Sequence, residues 1–262
     1  SMILGITGGQ ILILMLLMVL LIFSGCSKKS VQLRKHYGIL EKHPGIWSMT
    51  NSRIEHFEKI YSRNSHVRTC LKRASEEGYL NYIHRVFFKY RLPPELAHLP
   101  LLESCFDKRA DSGKAMGMWQ FTKETARDYG LRVGWFSDDR LNWRKSTHSA
   151  AQYLNELGQR FDFDWYLVLA GYNGGPNYLA KAMKRQKTQN FWELKLNKET
   201  SEYVPKFLAM LKVARGKYPG LFFEGALAVQ KPCSGRTAAW FERTMKNHNA
   251  ILYQRLQVGR VF

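Results

Sequence analysis

Negative charge is what this sequence has least of: 21 Asp and Glu stand against 40 Lys and Arg, a formal net charge of +19 over 262 residues. Such a surplus is larger than solubility requires and attracts polyanions: nucleic acid, anionic lipid head groups or an acidic polymer. The motifs that would select nucleic acid are missing, with no zinc-finger spacing, no RNP-like aromatic strand and no basic-zipper pattern, so nucleic acid is set aside as a partner. Cysteine is also scarce, at positions 26, 70, 105 and 233. No CxxC pair or Cys/His group has zinc-ligand spacing, so no metal site is expected. Alternating strand-like runs are few and no internal repeat is visible, which leaves a mainly α fold.

The chain has no apolar run long enough for a comfortable membrane span, but it has a shorter one near its start. Ile11 to Phe23 is unbroken and apolar, and is followed by Ser24-Gly25-Cys26 and then Ser27-Lys28-Lys29. That pattern fits a signal-peptide core. Small residues just ahead of a cysteine resemble the bacterial lipoprotein signal, in which Cys26 would carry lipid and become the first residue. Phe23 stands where that signal usually has Leu, and no Lys or Arg precedes the run. An uncleaved anchor extended upstream by Met2 to Ile6 is the alternative, and either way the rest of the chain lies outside the cytoplasm. Ser27 after the cysteine resembles outer-membrane sorting. With Cys26 lipidated, three cysteines remain and at most one internal disulfide can form, with Cys70 and Cys233 one open pairing. Cys105 reads as a buried structural thiol.

The expected organisation is a signal-like segment over 1–25 and a polar, basic tether over 26–51, with Pro44-Gly45 as a turn signal. A helical extension follows over 52–92. Ile54, Phe57, Ile60 and Tyr61 share one face, Val67, Cys70, Leu71 and Ala74 continue it, and Leu80, Ile83, Phe87 and Tyr90 mark the next helix. A third helix is expected from Pro94 through Leu96, Leu99 and Leu102 to Glu103, loosened by Pro100. Further helices are expected at Thr122–Tyr129, Ser146–Phe161, Trp165–Tyr172, Asn177–Arg185 and Ser201–Lys217. Ser146-Thr147 is the candidate cap of its helix, and Gly130 is placed to end the short one before it. Residues 218–262 hold little beyond a possible helix near Ala238–Ile251.

The chemistry is concentrated in Leu101-Leu102-Glu103-Ser104-Cys105-Phe106, then Ala110-Asp111-Ser112, then Gly117-Met118-Trp119-Gln120-Phe121. A carboxyl that is to act as a general acid must still hold its proton near neutral pH. Glu103 is expected at a helix C-terminus, where the macrodipole disfavours a carboxylate, with Leu99, Leu102 and Phe106 as desolvating walls. These motifs resemble the catalytic signature of the goose-lysozyme-like lytic transglycosylases. The resemblance continues in order through Thr125-Ala126, Tyr129-Gly130-Leu131, Asp139-Arg140, Ala150-Ala151, Asp164-Trp165, Gly171-Tyr172-Asn173-Gly174-Gly175, Phe191-Trp192, and Glu199-Thr200 with Tyr203-Val204-Pro205-Lys206. It spans about half the chain, Leu92 to Arg215, and is strongest toward the membrane-bound murein transglycosylase D subgroup.

The resemblance implies a lysozyme-like (goose-type) helical catalytic domain over 93–217 behind the extension, acting on peptidoglycan glycan strands in the bacterial envelope without a cofactor. It implies one glutamate, Glu103, serving as acid and then base, and 1,6-anhydro-MurNAc ends as product. Ser112 matches a serine that hydrogen-bonds near the cleavage point, Gln120 a glutamine on sugar, Tyr172 and Asn173 a pair at the cleft, and Tyr203 a tyrosine that positions the glutamate. Tyr203 is equally readable as core, and Trp119, Trp165 and Trp192 read as packing. Asp107 and Asp111 neighbour Glu103 in sequence but fit turn roles. Between Ser112 and Gly117 the family usually has one residue more, and 221–262 shows no peptidoglycan-binding repeat. A hydrolysing muramidase, which needs a second carboxylate, and a non-catalytic wall-binding protein are the competing readings.

Overall fold

A computed structural model describes residues 46–222. The apolar run before Cys26, Cys26 itself, most of the tether, Cys233 and the segment Ala238–Ile251 lie outside the described residues. The helices are α1 (Ser52–Arg63), α2 (His66–Glu76), α3 (Tyr79–Lys89), α4 (Pro100–Glu103), α5 (Lys123–Asp128), α6 (Trp143–Arg160), α7 (Trp165–Gly174), α8 (Pro176–Gln186), α9 (Lys198–Lys217) and α10 (Pro219–Phe222). Short 3-10 turns occupy Ile46–Ser48, Pro94–His98 and Asp139–Leu141. Among the described residues the only β pairing is three isolated antiparallel bridges.

Side-chain caps fix five of the ten helix starts among the described residues. Asn51, Thr122, Asn142, Asp164 and Asn197 each accept a hydrogen bond from a backbone N–H in the first turn of the helix they precede. The expected cap at Ser146-Thr147 is therefore corrected: Asn142 starts α6, and both residues are buried inside it. Thr147 Oγ1 instead donates back to Trp143 O at 2.6 Å and accepts from Trp119 Nε1 at 3.0 Å. Asn64 separates α1 from α2, its amide nitrogen donating to Ile60 O and its oxygen accepting from His66 N. The helix expected from Pro94 to Glu103 is interrupted. A 3-10 turn ends at His98, and Pro100, lacking an N–H, opens α4 at its first position.

Helix α9 is the centre of the fold, packing against α1, α2, α4, α7 and α10. Val204, Phe207, Leu208, Ala209, Met210, Leu211, Val213 and Ala214 are all buried, so this helix has apolar positions on most of its faces and no single stripe. Pro205 lies inside it and leaves the carbonyl of Ser201, four residues earlier, without its helical partner. Arg53 of α1 fills that vacancy by donating Nη2 to Ser201 O. Its guanidinium also lies 5.8 Å from the Phe191 ring and 5.6 Å from that of Trp192. One arginine thus ties the helical extension to the central helix at the point where proline weakens it.

Arg53→Ala should lower stability by about 1 kcal/mol, because a part-buried carbonyl loses its donor. In a Pro205→Ala background the helix regains its own N–H, and the penalty for Arg53→Ala should shrink. Chemical unfolding of the four proteins of this cycle measures the difference, and an unchanged penalty contradicts the assignment.

Candidate active site

Glu103 is the last residue of α4, and the chain leaves it by an unusual route. Cys105 and Phe106 are consecutive non-glycine residues with φ of 54° and 57°. Each such left-handed residue costs roughly 1–2 kcal/mol, so the turn needs fasteners. Cys70 of α2 supplies one by a disulfide to Cys105. Arg73, one turn further along α2, donates to Cys105 O at 2.9 Å, and Ser104 Oγ donates to Met118 O at 2.7 Å. The expectation of a buried structural thiol at Cys105 is corrected by this bond, which settles the partner of Cys70 that the sequence left open. It also consumes the one Cys/His group found among the described residues, His66 with Cys70 and Cys105. The two sulfurs are joined to each other, so the group is not a metal site.

The carboxyl of Glu103 accepts a hydrogen bond from Tyr203 Oη, which comes from α9. Leu99 and Phe106 are fully buried beside it and Leu102 packs on the core, so Glu103 is only partly reached by solvent. Desolvation is the largest influence on its acidity and pushes the pKa up to about 7. The Tyr203 hydrogen bond works the other way by stabilising the carboxylate, and the negative charge of Glu199 raises the pKa further. A four-residue helix contributes little dipole, so the expected macrodipole effect is secondary to burial. The phenols of Tyr203 and Tyr172 are held well above their ordinary pKa by burial and by Glu103, so both stay neutral donors.

Around this carboxyl the structure gathers several of the residues singled out from sequence. Tyr172, on α7, donates to Trp119 O at 2.8 Å and packs its ring, tilted by 35°, 5.2 Å from that of Tyr153. That bond fixes the backbone just before Gln120, which adopts φ 48° and donates its amide nitrogen to Gly117 O at 2.9 Å and Ala110 O at 3.2 Å. Gly117 is required where it stands: a Cβ there would lie 2.0 Å from Arg140 O, and φ is +80°. Buried Arg140, paired with Asp138 at 2.6 Å, donates to Phe121 O and holds the other side of the loop. Asn173 donates to Glu199 Oε1 at 3.2 Å. Next to it, Gly174 admits Thr200, since a Cβ would approach Thr200 Oγ1 to 2.6 Å.

Ser112 is the exception. It is exposed, and its hydroxyl is engaged with the N–H and carbonyl of Ala115, both at 3.1 Å, so the shortened loop closes on itself as a tight turn. Asp107 and Asp111 cap local turns by accepting from Arg109 N and Gly113 N. Trp119 and Trp165 are buried packing residues, and Trp192 is half-buried between Tyr166, Phe191 and Arg53.

Glu199 is the site residue that sequence reasoning passed over. It was visible within a quoted motif, and its spacing of four from Tyr203 puts both on one face of α9. A protonated carboxyl, a neutral phenol touching it and a second carboxylate acting on it through space form a unit that can release a proton and take one back.

Two measurements check this geometry. Reducing the Cys70–Cys105 bond, which closes a sequence separation of 35, should remove roughly 3–4 kcal/mol. The melting temperature should then fall by roughly 5–15 °C, and an unchanged value would show that the bond does not hold the turn. The second concerns pH. A carboxyl whose folded pKa is raised binds its proton more tightly when folded, so its contribution weakens as pH climbs from 4.5 through about 7. Glu103→Gln should therefore match the native protein near the acid end and exceed its stability above neutrality, by a margin of up to about 3 kcal/mol.

The Transglycosylase SLT domain family matches residues 84–195. Membrane-bound lytic murein transglycosylase D of Escherichia coli strain K12 is 39% identical over 171 residues, 63% of this chain and 37% of that protein. The protein of the same name from Escherichia coli O6:H1 strain CFT073 gives the same figures. The chain thus spans little more than a third of the length of these relatives. Residues 84–195 thus match a transglycosylase SLT domain, and the chain is similar over 171 residues to these membrane-bound lytic murein transglycosylases D.

Proposed function

We propose that this chain cleaves the β-1,4 bond between MurNAc and GlcNAc in peptidoglycan glycan strands by lytic transglycosylation. The observation that carries the reading is Glu103, a carboxyl with pKa near 7 held against a neutral tyrosine. Protonated Glu103 donates to the glycosidic oxygen as the C1–O bond breaks, and GlcNAc departs as an alcohol. The carbonyl oxygen of the MurNAc acetamido group supports C1 from the opposite side. The carboxylate left behind takes the proton from the C6 hydroxyl as that oxygen closes on C1. Glu103 ends protonated again, no water is consumed, and the product is a 1,6-anhydro-MurNAc end. Gln120, Tyr172, Asn173 and Tyr203 line or brace the place where the sugar would lie, whereas Ser112 contributes through the shape of its loop.

A hydrolysing muramidase on the same fold is the second reading, and Glu199 is the observation in its favour, because hydrolysis needs a second carboxylate to direct water. Against it, Asn173 already engages Glu199. A catalytically idle grip on the wall would not need a carboxyl kept protonated.

For location, the relatives' names say membrane-bound. The apolar run Ile11–Phe23 and Cys26 supply a lipid anchor or an uncleaved one, and among the described residues no helix is long and apolar enough to cross a membrane. The disulfide suits an oxidising compartment. Together these support a periplasm-facing protein of the bacterial envelope, sorted to the outer membrane, with residues 93–217 as catalytic domain, 52–92 as its extension and 218–262 unassigned.

Purified sacculi digested by the native protein should yield muropeptides lighter by one water than hydrolytic products, read by mass spectrometry. Reducing ends would select the muramidase. Glu103→Gln should lower the rate by at least about a hundredfold while the protein stays folded. Digestion at the native rate would remove Glu103 from the mechanism. The native rate should fall as pH rises through about 7, where the acid form disappears.

A further inference from the structure

Among the described residues large aromatic side chains are mostly covered, and one short hairpin breaks the rule. Beyond α5 the backbone doubles back between Val133 and Asp138, which form an isolated bridge, and Gly134 N donates to Ser137 O at 3.0 Å. The tip of this turn is Trp135 and Phe136, 95% and 98% exposed. The next most exposed large apolar residues among those described, Ile60 and Phe163, reach 43%. Two such rings offer ~150–250 Å² each, which puts the pair in the range of the largest apolar patch on an ordinary monomer.

The charges around the tip are sorted by sign. Arg127 donates to Val133 O at 3.1 Å, and Arg132 to Asp139 Oδ2 at 3.2 Å, so two exposed guanidinium groups flank the hairpin stem. The Arg132 side chain is 74% exposed. The acidic residues of the same stem are covered and neutralised: Asp138 pairs with buried Arg140, and Asp139 with Arg132 and Lys145. What solvent meets at this corner is a pair of rings fringed by cations.

We propose that the Trp135–Phe136 hairpin inserts into the interfacial layer of an anionic lipid bilayer. An indole is favoured at head-group depth and a phenyl ring at the acyl boundary, while the arginines meet lipid phosphates. A glycan strand fits less well. Sugar sites set their rings in a concave cleft among convergent polar groups, whereas these rings project from a turn and Phe136 offers no polar atom. The proposal is independent of the glycan-cleaving reading, since bilayer contact uses neither Glu103 nor its surroundings.

The test uses the full chain, reconstituted in vesicles of equimolar phosphatidylglycerol and phosphatidylcholine, with Phe136 replaced by photoreactive benzoylphenylalanine. The same replacement at Phe163, another exposed aromatic, is the reference. Lipid adducts from position 136 should exceed those from 163 several-fold, and should drop several-fold in vesicles of phosphatidylcholine alone. Equal yields at the two positions, equal yields in the two lipid mixtures, or adducts that pass to glycan strands when sacculi are added would each overturn the proposal. Cleavage of soluble glycan strands by the same variants, run in parallel, keeps a failure here separate from a failure of the enzymatic reading.

Discussion

The contact between Glu103 and Tyr203 constrains the rest of the structure. It joins a four-residue helix to a twenty-residue one, and their residues are a hundred positions apart in the chain. The contact brings opposing electrostatics to one carboxyl. Burial and Glu199 favour the protonated form, and the phenol favours the ionised one, with burial the largest influence. A group balanced near neutrality can act in both directions within one catalytic cycle, which a carboxyl at its ordinary pKa could not do as acid.

Holding that carboxyl in place requires a scaffold that tolerates awkward local geometry. The two left-handed residues after Glu103 are pinned to α2 by a disulfide and an arginine, and the left-handed Gln120 is held by its own amide and by Tyr172 beneath Trp119. Strained backbone of this kind persists where surrounding contacts over-determine it, and it gathers around functional groups. Helix α9 is the common support. Its proline, which would otherwise leave a bare carbonyl, is answered by Arg53 from the extension. The extension therefore completes the helix that carries Tyr203 and Glu199.

Much of this was legible in the sequence. Helical spacing located α3, α7 and α8 closely and α6 and α9 to within three residues at their starts, and Pro100 marked the break ahead of α4. The single stretch read over α1 and α2 is divided at Asn64. The ordered motifs named Glu103, and Gln120, Tyr172, Asn173 and Tyr203 lie in the network that surrounds it. The misses have physical causes. Asn142 outcompeted Ser146 as a cap because a helix starts wherever a capping side chain first meets a free N–H. The Cys70–Cys105 pairing depends on α2 packing against α4, which no spacing rule encodes. Glu199 was overlooked because its effect on Glu103 acts through space. Ser112 is exposed and spends its hydroxyl on Ala115, because a loop one residue shorter closes as a tight turn.

The most direct measurement is the acidity of Glu103 itself, followed by carbon NMR of a side-chain-labelled protein titrated against pH, with Glu103→Gln identifying the resonance. A midpoint near 7 agrees with a buried, tyrosine-bound carboxyl under the influence of Glu199. A midpoint at the ordinary 4.5 would mean that the carboxyl is solvated and ionised at neutral pH, and the account of this site would fail.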